Sequence, residues 1–317
     1  MQTSPLARVS VILSALTLSA CSLVTPRNQN GQMSKPEVRD VGYSARSSND
    51  MNLRKRIIVL PFIDATAGRS EKSAQVAREA FLHVLKRTDQ FVIVANSDFP
   101  KDIATYLKNG EYDLEAMSKV AGQMGLAGVI EGKVLNLRAQ RVGDAVGIVR
   151  EIKARISATV QIRLVNTKNG SIALNETRTA DVDESTTRVG ERALTDKMLE
   201  EDPKLVDAVV TAAFASTIPK IVQSVEKLSW EGRVAMVKGD RVYLNAGRIS
   251  GLNVGDILKI TEEGEDVYDP DSGALIGKVP GRLKGTVEIV SYFGKDGAIS
   301  VVHSGSGFRE NDHVELY

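Results

Sequence analysis

The sequence predicts an α+β protein in which an α/β domain is followed by a small β-barrel-like domain. Three observations carry that prediction. Apolar runs and amphipathic helical stretches take turns between Leu53 and Leu228; a half-buried strand pattern sits at Ile156–Leu164; and after Trp230 short strands are separated by glycine and aspartate turns with no helical period. The length agrees, because 317 residues suit two domains at roughly 150 residues each.

At the N-terminus Arg8 precedes an apolar run, Val9–Leu18, and small residues lead from it to Cys21. A run of about ten residues is too short to cross a hydrocarbon core, which needs about 20, and it suits the apolar region of an export signal. Leu18-Ser19-Ala20-Cys21 resembles the bacterial lipobox. That resemblance implies a signal peptide at 1–20, cleavage before Cys21 and lipid attachment at Cys21. Ser22 follows where an Asp would signal retention, which implies sorting to the periplasmic face of the outer membrane. Several acyl chains anchor far more firmly than one, at about 0.8 kcal/mol per buried methylene. Residues 21–52 are then a lipidated N-terminus and a flexible, polar linker with a span on the order of 30 Å.

The α/β domain is placed at 53–228. Arg56–Ile63 is a continuous apolar run of the kind a fully buried strand shows, limited by Pro61. Glu71–Arg87 sets Ala77, Ala80, Phe81, Val84 and Leu85 at helical spacing. Phe91–Ala95 is the next strand. Asp113–Gly125 is the next helix, with Leu114, Met117, Val120, Ala121 and Met124 inward, and Ala127–Leu137 another strand. Ile156, Ala158, Val160, Ile162 and Leu164 then alternate with polar residues, and Asn169-Gly170 is a tight-turn signal leading into a strand at Ser171–Ala180. Pro203–Leu228 reads as an apolar helix interrupted near Pro219.

The β-rich unit is placed at 229–317, and two stretches of it look alike. Gly239–Gly247 leading to Gly255–Ile260 matches Asp296–His303 leading to Asn311–Leu316: in each a strand is followed by a turn, an Asp and a closing strand.

Composition narrows the chemistry. Lys plus Arg is 41 and Asp plus Glu is 40, and loss of Arg8 with the signal leaves the two equal. A balanced charge argues against nucleic acid as partner, because such binding needs a concentrated basic face. One Cys and three His are too few for a Cys/His zinc site, and no internal disulfide can form. Asp269-Pro-Asp271-Ser-Gly273 opens like a calcium loop but lacks the rest, so a hairpin turn is expected. Gly273–Lys278 departs from a phosphate loop in spacing and in Val279. His83, His303 and His313 have no nucleophile motif around them, and Gly305-Ser306-Gly307 lacks the spacing of a nucleophile elbow. Asn175-Glu-Thr177 fits a glycosylation triplet that a bacterial envelope does not ordinarily read. No catalytic, cofactor-binding or metal residue is predicted, and no cofactor.

Residues 53–228 resemble the curli-secretion channel subunits of the CsgG type and their relatives with a TolB-N-like α/β domain. Ile57-Ile-Val-Leu-Pro-Phe-Ile-Asp64, Gly128-Val-Ile-Glu-Gly132 and the strand ending Arg163-Leu-Val-Asn166 carry the resemblance. In those channels two extra hairpins build a membrane barrel; here they would fall near Arg138–Arg155 and Asp181–Pro203. A barrel strand alternates apolar and polar over about 9–11 residues, and in Asp181–Pro203 neither parity is apolar. The C-terminal unit resembles the C-terminal domain of the flagellar assembly T proteins, which form a periplasmic ring, through Val242–Gly247, Gly251–Asp256 and Asp269–Gly277.

Together these resemblances imply a non-enzymatic, outer-membrane-anchored periplasmic lipoprotein. It would act as a homo-oligomeric, ring-type scaffold in cell-envelope assembly, curli-type or flagellar, with an envelope-machinery partner. The alternative is a subunit of a curli-like outer-membrane secretion channel. A third reading is an enzyme or small-ligand receptor using the crevice at the strand ends of the α/β sheet.

Overall fold

β1 (Lys55–Val59) lies inside a mixed sheet and pairs in parallel with β3 (Phe91–Val94) on one side and β6 (Gly128–Gly143) on the other. The structure, a computed structural model, describes residues 53–65, 71–143, 151–187, 202–273 and 275–317. Ile57, Ile58, Val59 and Leu60 are fully buried, as an apolar run between two layers must be. β1 ends before Pro61, and the ladder resumes on β6 as β2 (Ile63–Asp64). β4 (Leu107–Lys108) and β5 (Glu111–Tyr112) form a small separate hairpin.

Beyond β6 the sheet becomes antiparallel, through β7 (Glu151–Asn166) and β8 (Ile172–Thr187), giving the order β3-β1-β6-β7-β8. The predicted alternation holds along β7: Ile156, Ala158, Val160, Ile162 and Leu164 are all buried. β6 and β8 run further than expected, each by several residues. No glycine or proline stops them after Leu137 or Ala180, and the in-out pattern continues through Leu137 and Ala139 inward against Arg138 and Gln140 outward. Of Arg138–Arg155, placed by resemblance as an extra hairpin, 138–143 and 151–155 continue this ladder, and residues 144–150 lie outside the described residues. Of Asp181–Pro203, the part to Thr187 is strand β8, and residues 188–201 lie outside the described residues. The β7–β8 connection also differs from a two-residue hairpin. Only Gly170 takes positive φ (68°), while Asn169 caps the turn by accepting from the Ser171 N–H.

Helix α1 (Glu71–Arg87) packs with α3 (Pro203–Ala215) and α4 (Ile218–Glu226) in the core cluster on one face of this sheet. The break expected near Pro219 falls between Ala215 and Ile218, where Thr217 donates its hydroxyl to the Phe214 carbonyl. Phe62 stacks on Phe214 at 4.2 Å and meets Phe81 edge-on at 5.4 Å. This is why Gly132 must be a glycine: a Cβ there would stand 2.5 Å from Phe62 and 2.9 Å from Phe214. On α1, Ala74, Ala77, Phe81 and Leu85 form the buried stripe, and Val84, expected inward, is exposed on its flank. Helix α2 (Leu114–Gln123), capped by Asp113, packs through Met117 and Ala121 in a second core cluster with Ile58, Leu60 and Val129. Leu114, Val120 and Met124 are only partly buried against that cluster.

The C-terminal strands close a six-stranded barrel: β9 (Gly232–Lys238), β10 (Arg241–Leu244), β11 (Ile257–Thr261), β14 (Leu283–Phe293), β15 (Gly297–Gly305) and β16 (His313–Leu316). β12 (Glu265–Tyr268) and β13 (Leu275–Val279) form a separate hairpin inserted between β11 and β14, with Asp269 capping its turn by accepting from the Ser272 N–H and Oγ. The barrel order β10-β15-β14-β11-β16-β9 is unchanged when β9, β10 and β11 exchange with β14, β15 and β16. The two similar stretches therefore pair with each other, β10 against β15 and β11 against β16. Their aspartates are equivalent too: Asp256 accepts from the Asn253 N–H at 2.7 Å, and Asp312 from the Arg309 N–H at 2.7 Å.

Candidate functional site

Cys21, the predicted lipid attachment residue, lies outside the described residues. Among the described residues no group of three or more His, Cys, Asp or Glu is placed to hold a metal ion. Among the buried charged groups, Glu131 pairs with Arg163 within the α/β sheet and Asp312 with Lys284 in the barrel, while Glu231 and Arg233 lie where the α/β layers meet the barrel. There β9 begins directly after the turn that follows α4, so Glu231 and Arg233 enter the barrel wall facing the end of α2.

Arg233 is 3% exposed. Its Nε and Nη2 donate to the Gly122 carbonyl and its Nη1 to the Asn311 carbonyl at 2.9 Å. The acceptor at Gly122 is near the C-terminal end of α2, where it also accepts from the Gly125 N–H at 2.9 Å, and a cation is favoured at that negative end. Burial pushes the Arg233 pKa down, against the pull of Glu263, Glu231 and Asp312. Asn245 adds a second strut: it donates to the Met124 carbonyl at 3.0 Å and accepts from the Arg233 N–H at 2.8 Å. Gly125, at φ 71°, lies under both side chains, and a Cβ there would stand 3.2 Å from each.

Glu231, 4% exposed, sits between Lys168, at 3.2 Å, and His313, whose Nδ1 is 3.6 Å away. Burial pushes the Glu231 carboxyl up, but the His313 ring and the Lys168 ammonium outweigh it and hold it below the ordinary range. Lys168 also meets Glu315 at 2.9 Å, and these two acids raise its pKa against the lowering effect of burial. Two clefts flank this junction. One, of about 840 Å³, is bordered by Leu53, Phe91, Trp230 and Arg248; the other, of about 790 Å³, by Arg163, Glu231, Tyr268, Lys278 and His313.

Chemically this arrangement is a brace. The Arg233 guanidinium donates to carbonyls through all three of its nitrogens, and Lys168 and Glu231 neutralise each other. The remaining sequence candidates are scattered. His83 is on the exposed side of α1, His303 is exposed on β15 with Nδ1 3.1 Å from the Thr286 hydroxyl, and Lys278 pairs with Glu263. Asn175 accepts from Gln161 on the open face of β8. Of the three histidines only His313 joins the buried cluster. Sequence reasoning passed over Lys168, Glu231 and Arg233. The signal available was the pair of charges flanking Gly232 in what otherwise reads as the first strand of a barrel.

Among curated proteins none matches the chain significantly. Solved structures do show similarity. The hypothetical protein CT253 from Chlamydia trachomatis is 14% identical, with a TM-score of 0.34, covering 54% of this chain and 98% of that one. Lipoprotein GNA1162 from Neisseria meningitidis is 11% identical, with a TM-score of 0.28, covering 53% and 99%. A PelC dodecamer from Paraburkholderia phytofirmans is 16% identical, with a TM-score of 0.26, covering 55% and 90%. The sequence profile of the family described as "Curli production assembly/transport component CsgG" matches residues 42–252. The match takes in every strand and helix of the α/β sheet and continues through β9 and β10 into the barrel, so the chain belongs to the CsgG family.

Proposed function

We propose that this chain is a non-enzymatic lipoprotein, anchored through Cys21 to the periplasmic face of the outer membrane, that works as an oligomeric, ring-type scaffold in envelope assembly of the curli or flagellar kind. Residues 1–20 are then its signal peptide, 21–52 its tether, and 53–228 and 229–317 its two domains. Its partners are the membrane, further copies of itself and a component of the envelope machinery.

The observation that favours a scaffold over a channel is a polar ladder on the open face of β7 and β8. Arg155 donates to both carboxylate oxygens of Asp183 at 2.6 and 2.9 Å, Thr159 meets Thr179 at 3.0 Å, and Gln161 donates to Asn175 at 2.8 Å. The other face of β7 is in the core. A membrane strand needs an apolar outer face over about 9–11 residues, and an Arg on that face costs about 2–4 kcal/mol at the bilayer midplane.

The family's description as an assembly/transport component favours a second reading, a subunit of a curli-like outer-membrane channel. Negative-stain imaging and planar-bilayer recording of the acylated chain separate the two. Annular particles without conductance are expected. Conductance steps with a membrane collar would establish the channel, and monomers from both the native chain and Cys21→Ser would overturn the scaffold.

A further inference from the structure

The β12–β13 hairpin pairs with no other strand among the described residues, and a two-stranded hairpin alone is marginally stable in water. Its alternation gives it two unlike faces. Asp266, Tyr268, Ile276 and Lys278 border the cleft toward α2. Glu265, Val267 and Val279 occupy the other face, since Glu265 pairs with Val279 and Val267 with Gly277. Both faces reach solvent, Tyr268 and Ile276 being 48% and 66% exposed on the cleft side and Val267 and Val279 38% and 52% on the outer one, which carries Glu265 as its charge. The segment from Glu262 to Leu283 carries six acids and two bases. Both bases are paired, Lys278 with Glu263 and Arg282 with Glu262, whereas the exposed carboxylates of Glu265 and Asp271 have no ion-pair partner among the described residues.

The barrel exterior carries the complement. Tyr243 stands directly opposite both Met236 and Ile299, and Phe293 packs edge-on against Tyr243 at 5.7 Å, which makes an apolar stripe across β9, β10, β15 and β14. Met236 and Phe293 are about two-fifths exposed, at 40% and 41%. Beside the stripe, Lys238 and Arg241 face each other across β9 and β10, and Lys295 follows at the end of β14. None of these three cations has an ion-pair partner among the described residues, although Asp240 and Glu288 lie nearby. Two like charges directly opposite on a sheet are destabilising unless an anion joins them.

We infer that the outer face of the β12–β13 hairpin of one copy docks on the Met236–Tyr243–Phe293 stripe of the next. This rests on the scaffold reading and supplies its contact. The occupant is a second copy because one chain carries both halves of the match, acidic and apolar on the hairpin, basic and apolar on the barrel. A two-fold pair would make this contact twice and close on itself, whereas the same contact made head-to-tail builds the ring or filament that the scaffold reading requires. A hairpin buries less than the roughly 800 Å² per partner of a standard interface, and tethering of every copy to one membrane would raise the effective concentration. The family match ends at residue 252, so the hairpin and Phe293 lie beyond it while Met236, Lys238, Arg241 and Tyr243 lie within it.

The test is sedimentation velocity of the acylated full chain in nonionic detergent at low salt, with circular dichroism to confirm that each variant is folded. Reversing the hairpin charges (Glu265→Lys with Asp271→Lys) is expected to weaken self-association at least tenfold, and Lys238→Glu with Arg241→Glu to do the same. Combining all four restores it. If the native chain self-associates and the reversals leave it unchanged, or the combination fails to restore it, this contact is overturned while the scaffold stands. A native chain that stays monomeric both in detergent and, by crosslinking, after reconstitution into lipid vesicles overturns both.

Discussion

Arg233 and Gly122 are joined across 111 positions of sequence, the guanidinium of the first barrel strand donating twice to the carbonyl near the end of helix α2. Hydrogen bonds to charged groups contribute about 1.5–3 kcal/mol, and removing Arg233 leaves the Gly122 carbonyl to its backbone bond from the Gly125 N–H. Arg233→Ala should therefore lower the unfolding free energy by about 3 kcal/mol in urea titration. Arg233→Lys should recover little of it, because an ammonium cannot reach two separate carbonyls with the planar fork that Arg supplies. Full rescue by Lys would show that charge alone is what the junction needs.

Gly132 makes a second stability prediction. The contact with Phe62 and Phe214 leaves no room for a methyl group, so Gly132→Ala should cost about 1–3 kcal/mol through displacement of the aromatic cluster. Pairing it with Phe62→Leu should recover part of the loss, and thermal melting of the single and double variants would read this out.

The equivalent aspartates of the barrel should behave unequally. Asp256 and Asp312 both cap a turn, but Asp312 also receives Lys284 at 2.7 and 2.8 Å, and both of those side chains are largely buried. Losing a turn cap costs about 1 kcal/mol. Stripping the partner from a buried charge costs about 3–5 kcal/mol. Asp312→Ala should accordingly lower the melting temperature by the equivalent of about 3–5 kcal/mol, and a loss no larger than about 1 kcal/mol would mean that Lys284 finds other solvation.

The junction also sets a pH window. Glu231 is held below its ordinary range by His313 and Lys168, so its stabilisation is present above about pH 4.3, the unfolded value, and is lost as pH falls through the lower folded value. Lys168 is raised by Glu315 and Glu231, so its contribution is present below about pH 10.4 and lost as pH rises through the higher folded value. Melting temperature against pH should show a plateau between these limits. Glu231→Gln should make the acid limb shallower, and an unchanged limb would assign it to other carboxylates such as Glu263 and Asp113, which are also held low.

What was legible in the sequence was local. The alternation of Ile156–Leu164 named the buried face of β7 residue by residue, and the likeness of the two stretches after Gly239 was visible, although that they pair with each other was not. Strand ends were less legible, because β6 runs on past Leu137 with no residue to stop it and gains its length only from the partner it finds in β7. Val84 shows the same limit on α1: helical spacing marks a stripe but not its width. The brace was invisible for a different reason. Lys168, Glu231, Arg233 and His313 look like solvated charges until the fold brings a loop, the helix-to-barrel turn and two strands to one place.

The exchange symmetry of the barrel has a kinetic meaning. Each half, taken in order along the chain, finds its main partners in the other half: β10 waits for β15, and Gly232 of β9 pairs with Val314 near the last strand. Contacts of such long sequence separation form slowly, since loop closure comes before any gain from burial. A chain threaded across a membrane N-terminus first would hold Val234, Val242 and Leu244 uncovered until its final strand arrived. The α/β sheet could assemble during that interval, and on that export route the barrel would fold last and depend most on protection against aggregation while it waits.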